Sequence, residues 1–387
     1  MGVMMVGSGF SSSSFMGAFA QPGSDADQAS QSKSQAQAKP DGADTASAAS
    51  ASDKGSSPSG AVEADDRMKE AVARNKEAAK LIEQFRQALD AMRARSGDKG
   101  SSFDAEKFAD LIIHVNSGNT VETSGGDDEI TANSENIINA GEGSNRVHAN
   151  ASNMIATGEG DDEIGANAEN VIDAGDGNNS IFANASNQIT TGSGHDAITI
   201  NAGNQLDSGG GNDVIRANAD NIINSGSGDD LISVNSNNVI DAGSGDDVIQ
   251  GNAENVIRAG AGNDRVNMGG GEVEGGAGDD ELTLTRDTIV HFNAGDGHDT
   301  ISTIAAKIDL RLGAGLSPDN MQVSYETGSP TISFNDGAES MTFSAIALSD
   351  VTLTFANGKT MKLDEIEPTR VPVGPEVNRI DALSVVV

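Results

Sequence analysis

Cysteine is absent from the 387 residues, which rules out a disulfide framework, a thiolate metal site and a cysteine nucleophile. Tryptophan is absent too, tyrosine occurs once and aromatic residues reach only 3%, so no broad aromatic-rich core can be assembled. Basic residues are scarce, 24 against 59 acidic ones, leaving a formal net charge of −35. Like charge repels phosphate backbones and anionic lipid surfaces, so nucleic acid is not an expected partner. Nowhere does an apolar run reach the roughly 18 residues a transmembrane helix needs, so no membrane insertion is expected. What is plentiful is glycine, with 47 residues, and that composition points to something repetitive and narrow.

Residues 1–61 are rich in Ser, Ala, Gln, Gly and Asp, with too little apolar content to offset the entropy of ordering, and read as a disordered low-complexity tail. Their start lacks the positive charge and the uninterrupted apolar run of a secretory leader. Residues 62–97 change to Ala, Glu, Lys, Arg and Gln, with Met68, Val72, Ala79, Ile82, Phe85, Leu89 and Met92 at helical spacing. This predicts one amphipathic helix, stopped near Gly97. It either docks on the rest of the chain or pairs with another chain, and Asn75, which interrupts the stripe, favours docking over a coiled coil.

A repeat dominates residues 98–301. Ser124 aligns with Gly141, Gly158, Gly175, Gly192, Gly209, Gly226, Gly243 and Gly260 at a constant spacing, and Gly276 follows one residue early. Each unit has a Gly-acid half and an Asn half, typified by GEGDDEIGANAENVIDA, and each half supplies one turn and one short strand. Ile130, Val147, Ile164, Ile181, Ile198, Ile215, Ile232, Ile249 and Val266 recur in the first strand. Ile138, Ile155, Ile172, Ile189, Leu206, Ile223, Ile240 and Ile257 recur in the second. The expected fold is all-β: a right-handed parallel β-roll, or β-solenoid, with a thin aliphatic core between two sheets. Stacking stabilises such an array, and its ends need caps. Residues 302–366 have short alternating strands and turn signals and read as a β-rich C-terminal cap, with 367–387 as a tail.

In the Gly-acid half, G-x-G-x-D-x-I repeats. Asp128, Asp162, Asp196, Asp213, Asp230, Asp247, Asp264, Asp280 and Asp299 hold the Asp position, and Asn145 and Asn179 replace it in two coils. Stacked carboxylates repel until a cation is inserted. An all-oxygen set of carboxylates and carbonyls suits Ca²⁺ rather than Zn²⁺, with Mg²⁺ less suited. These units resemble the haemolysin-type calcium-binding repeat of the RTX proteins, G-G-x-G-x-D-x-U-x with U apolar, and the last part of the chain resembles the small domain that often follows such repeats. The resemblance implies calcium between successive turns, held by the Asp column and by the loop carbonyls of Gly158, Gly160, Gly192, Gly194, Gly209, Gly211, Gly226, Gly228, Gly243, Gly245, Gly260, Gly262, Gly276 and Gly278. Since only alternate half-coils carry the motif, one calcium column is expected.

In the other half N-x-x-N runs unbroken from Asn116 and Asn119 to Asn252 and Asn255, which predicts side-chain amide ladders along the opposite edge. Ile137, Met154, Val171, Ile222, Val239 and Val256 point outward, interrupted by Gln188 and Gln205, and need partial cover. The helix is the economical candidate. Zincin, nucleophile-elbow and P-loop spacings are absent, the five histidines are scattered, and acid pairs repeat too often to be a unique acid and base, so no enzyme is expected. The chain reads as a secreted structural or interaction protein whose folding depends on calcium, with an unknown extracellular or host target. Alternatives are a non-catalytic part of a polysaccharide-active enzyme and a type III-like effector. Asp381 before an apolar end at Leu383, Val385, Val386 and Val387 is similar to the signal read by a type I secretion apparatus.

Overall fold

The computed structural model describes residues 2–6, 59–96, 110–303, 306–325 and 329–367. Of the tail expected at residues 1–61, residues 7–58 lie outside them, as does the secretion signal expected at the C-terminal end; residues 59–61 belong to the helix.

Two long sheets, of 16 and 14 strands, run through the described residues, and each coil contributes one strand to each of them. Pairing is parallel and keeps the sequence period: Ile181 faces Ile164 on one side and Ile198 on the other, and Ile189 faces Ile172 and Leu206. The architecture is a parallel β-solenoid. Both Ile columns are buried, Ile130, Ile138, Ile215 and Ile240 completely. Alternation within each strand adds further inward columns. Ala132, Ala149, Ala166, Ala183, Ile200, Ala217 and Val234 lie on the first sheet, and Ala140, Thr157, Ala174, Thr191, Ser208, Ser225, Ala242 and Ala259 on the second. Small residues there keep the sheets close, which is how a chain poor in aromatics closes a continuous core.

The ends differ from the middle. Gly2–Val6 pairs parallel with Leu111–Ser117, adding a strand ahead of the first coil. The tail reading missed it, because a five-residue β-compatible run is diluted by the Ser-rich sequence that follows. At the other end, Glu339–Ser344 continues the first sheet in parallel from His298–Thr303, and Val351–Phe355 continues the second from Ile308–Leu312. The direction then reverses: Thr331–Phe334, Met321–Ser324 and Thr360–Lys362 are antiparallel. Phe292, Phe334, Phe343 and Phe355 fill the core here, in the same cluster as the Ile columns.

The helix Ser59–Ser96 lies on the outer face of the second sheet. Met68 and Ala71 are buried against Ile222, Val239 and Val256, with Val72 beside them, and the Arg67 guanidinium donates to the carbonyl of Asn237 at 3.2 Å. Half of the outward apolar column is thus covered within the chain. The side chains of Ile82, Phe85, Leu89 and Met92 lie outside the described residues.

Candidate metal centre

Local backbone geometry builds the acidic edge. The second glycine of each motif has positive φ, and a Cβ at Gly211 or Gly245 would stand 1.7 or 2.1 Å from the carbonyl oxygen of Gly194 or Gly228 in the preceding coil. A side chain is excluded by both conformation and space. Glycine therefore lets successive turns stack with their carbonyls crowded along one line.

Inside that line stand the nine motif aspartates, each no more than 4% exposed. One oxygen of each carboxylate belongs to a ladder: the backbone N–H of Asp196 donates to Asp213 Oδ1 at 2.8 Å, Asp213 to Asp230, Asp230 to Asp247, Asp247 to Asp264 and Asp264 to Asp280, all at 2.8 Å. The last rung, Asp280 to Asp299, is 3.2 Å. The second oxygen is different. Oδ2 of Asp128, Asp162, Asp196, Asp213, Asp230, Asp247, Asp264 and Asp280 is buried and meets no hydrogen-bond donor. A buried carboxylate oxygen without a partner is costly, and here the cost recurs coil after coil.

The electrostatics follow. Burial, reinforced by the carboxylates of adjacent coils, pushes Asp247 and Asp280 up to about 7 and Asp299 to about 8. Burial raises Asp162, Asp213 and Asp264 to about 6, the backbone N–H of the preceding coil offsetting part of it. Asp128, Asp196 and Asp230 are raised by the same cause. Among the described residues no basic side chain forms an ion pair with this column. Nor, among the described residues, do three acidic or histidine side chains gather into a ligand group there. Hard oxygen donors, several of them carbonyls, on a line of orphaned carboxylate oxygens fit a calcium ion.

The Asn edge has the same stacking without the deficit. Asn187 Oδ1 accepts from the Asn170 N–H at 3.0 Å and from Asn170 Nδ2 at 2.9 Å, while its own Nδ2 donates to Asn204 Oδ1 at 3.0 Å and to the Asn167 carbonyl at 3.1 Å. Both lone-pair sites and both protons are used. The outer asparagines form a second ladder of opposite direction, for example Asn184 Nδ2 to Asn167 Oδ1 at 2.8 Å.

Three features were not read from sequence. The residue before each motif Asp forms an exposed ladder of its own, Asp246 N–H to Asp229 Oδ1 and Asn263 N–H to Asp246 Oδ1, at 2.9 and 2.7 Å. His195 is a rung of it, its Nδ1 accepting from the Asn212 N–H at 2.7 Å, which fits a turn residue. Glu135, Ser152, Glu169, Ser186, Asp220, Asn237 and Glu254 share a left-handed backbone, and only Gly118 and Gly203 in the same column hinted at it. Asp296, in the last Gly-acid turn, is also buried and raised by burial to about 6.

A family model described as the RTX calcium-binding nonapeptide repeat (4 copies) matches residues 115–147, 164–204, 199–232, 232–266 and 254–272. No curated protein matches the chain. The matched stretches cover most of the coils that carry the glycine turns and the acidic column, with Asp162, Asp280 and Asp299 outside them, and residues 115–272 are RTX calcium-binding nonapeptide repeats, units that bind Ca²⁺ as a structural ligand.

Proposed function

We propose that this chain is a secreted structural or interaction protein whose roll is completed by calcium on the acidic edge, and that it has no catalytic role. The observation that carries this reading is the row of eight buried Oδ2 atoms without donors, facing an Asn edge on which the donors and acceptors balance. The side-chain ligands are the nine aspartates from Asp128 to Asp299. The carbonyls come from the motif glycines, Gly158 and Gly160 through Gly276 and Gly278. Bound ions supply positive charge between coils, and their binding free energy becomes folding free energy.

RTX repeat proteins are typically secreted. Extracellular calcium modules work at about 10⁻⁴ to 10⁻³ M, so the acidic edge stays open where free calcium is scarce and closes outside the cell. Export through a type I apparatus fits that order of events. The test is a calcium titration followed by circular dichroism and calorimetry, beside a variant with Asp162, Asp213 and Asp247 changed to Ala. The expected result is a melting temperature that rises with millimolar calcium in the parent, and fewer bound ions in the variant. A parent whose melting temperature ignores millimolar calcium overturns the reading.

A further inference from the structure

Two coils of the acidic column carry Asn in place of Asp, and there the structure shows what fills the space beside the turn carbonyls. Asn145 keeps the ladder role, its N–H donating to Asp162 Oδ1 at 2.7 Å while its Oδ1 accepts from Asp128 at 3.1 Å. Its Nδ2 stands where an aspartate would place the orphaned Oδ2. It donates to the carbonyls of Gly143 at 3.1 Å and Thr157 at 3.2 Å, with Gly141 at 3.5 Å. Asn179 repeats the arrangement, its Nδ2 reaching the carbonyls of Gly177 at 3.2 Å and Gly175 at 3.3 Å. Asp128 and Asp162, in the flanking coils, leave Oδ2 with no donor at all.

The residue five positions earlier varies in step. It is Ala140 before Asn145 and Ala174 before Asn179, but Thr123, Thr157, Thr191, Ser208 and Ser225 before Asp128, Asp162, Asp196, Asp213 and Asp230. The Thr157 hydroxyl donates to the Ala174 carbonyl at 2.9 Å, Thr191 to Ser208 at 2.6 Å and Ser225 to Ala242 at 2.9 Å. In the Asn145 coil the amide serves the equivalent carbonyl, that of Thr157. Ala242 and Ala259, before Asp247 and Asp264, supply no hydroxyl, and those coils therefore lack both kinds of donor.

We propose that Asn145 and Asn179 are built-in replacements for calcium: their amide groups donate to the turn carbonyls that an ion would bind, so those two turns close without metal. This rests on the calcium reading above for the remaining coils. The uninterrupted acidic column then starts at Asp196 and runs to Asp299. Asp162 is isolated between the two Asn turns, and Asp128 is cut off from the acidic column by Asn145. The solenoid is thus divided into an N-terminal part held by amides and hydroxyls in any ionic condition, and a C-terminal part that needs calcium.

Hydrogen exchange on the full-length protein tests the division. In chelator, amides of the coils around Asn145 and Asn179 should stay protected, while those between Asp213 and Asp299 exchange faster and regain protection with calcium. Equal calcium dependence in both parts overturns the proposal. The double variant Asn145→Asp/Asn179→Asp should bind more calcium than the parent, at most one ion per added carboxylate. It should also melt at least about 5 °C lower in chelator, since two buried oxygens lose their compensation. Asp213→Asn provides the converse if that variant does not fold: it should bind less calcium and melt higher in chelator. Unchanged calcium uptake by the double variant, or a chelator melting temperature lowered by Asp213→Asn, overturns the proposal while leaving the calcium reading intact. A parent that binds no calcium overturns the calcium reading and, with it, this proposal.

Discussion

Raising the pH should destabilise the calcium-free protein. Burial holds Asp247 at about 7 against an ordinary value of 3.8, Asp280 at about 7 and Asp299 at about 8. A folded-state pKa above the unfolded one means that the native column binds more protons between pH 4 and 8, so stability is greatest on the acid side and falls as pH rises through the folded values. For Asp247 the difference corresponds to a cost on the order of 4 kcal/mol once the group is charged. In a body of this size that alone moves the melting temperature by roughly 10 °C. Coupling along the column makes the individual costs non-additive. The assay is differential scanning calorimetry from pH 5 to pH 8, in chelator and in excess calcium. In chelator the melting temperature should fall by at least 10 °C or so. In calcium the trend should flatten or invert, because protons and the ion compete for the same carboxylates. General repulsion from a net charge of −35 also grows with pH, so Asp247→Asn/Asp280→Asn serves as the control: its slope in chelator should be clearly shallower. A melting temperature in chelator that is flat or rises from pH 5 to pH 8 would refute the account of the buried column.

Asn187→Ala removes four ladder bonds at a site 1% exposed, and should destabilise the protein by about 3 kcal/mol or more in chemical denaturation while leaving the number of bound calcium ions unchanged. Gly211→Ala places a Cβ 1.7 Å from the Gly194 carbonyl at φ +123°, and should cost several kcal/mol and lower calcium uptake, read by calorimetry and equilibrium dialysis. Ile240→Ala opens the aliphatic core at a fully buried position, with an expected loss of about 2 to 5 kcal/mol in the same denaturation experiment. Ala71→Glu buries a charge between the helix and Val239, and should release the helix, seen as faster amide exchange over residues 66–80 with the roll unaffected.

Much of this molecule is legible in its sequence because the period is constant. Once Ile164, Ile181 and Ile198 align, strand alternation dictates which neighbours face inward, and the Asp and Asn columns fall on opposite edges. What escaped has identifiable reasons. The left-handed column was hidden because Glu135, Ser152 and Glu169 occupy a conformation that glycine would advertise, and only stacking compensates their strain. Thr157, Thr191 and Ser208 read as small inward residues, since nothing in a linear sequence indicates that a hydroxyl will meet a carbonyl one coil away. Gly2–Val6 pairs with a strand that lies beyond the whole helix, a distance over which local pattern carries no information. The helix partner was legible in outline, as an orphan apolar face and an orphan apolar column. Which coils it covers depends on how far along the roll it starts.

The reversal of strand direction at the C-terminal end sets the length of the array. Every parallel coil is a template: it offers the next one a row of backbone groups in register, together with the half-finished rungs of its Asn and Asp ladders. A second molecule arriving with its own first coil would find that template at any parallel edge, and the assembly would lengthen into a fibre. At Met321–Ser324 and Thr360–Lys362 the template ends. The strands there run the wrong way for a coil to dock in register, carry no amide or carboxylate ladder to extend, and place Lys362 on the short outermost strand of the second sheet, where a charged side chain discourages edge pairing. An architecture that invites polymerisation by its repetition is therefore terminated by strands that cannot be copied.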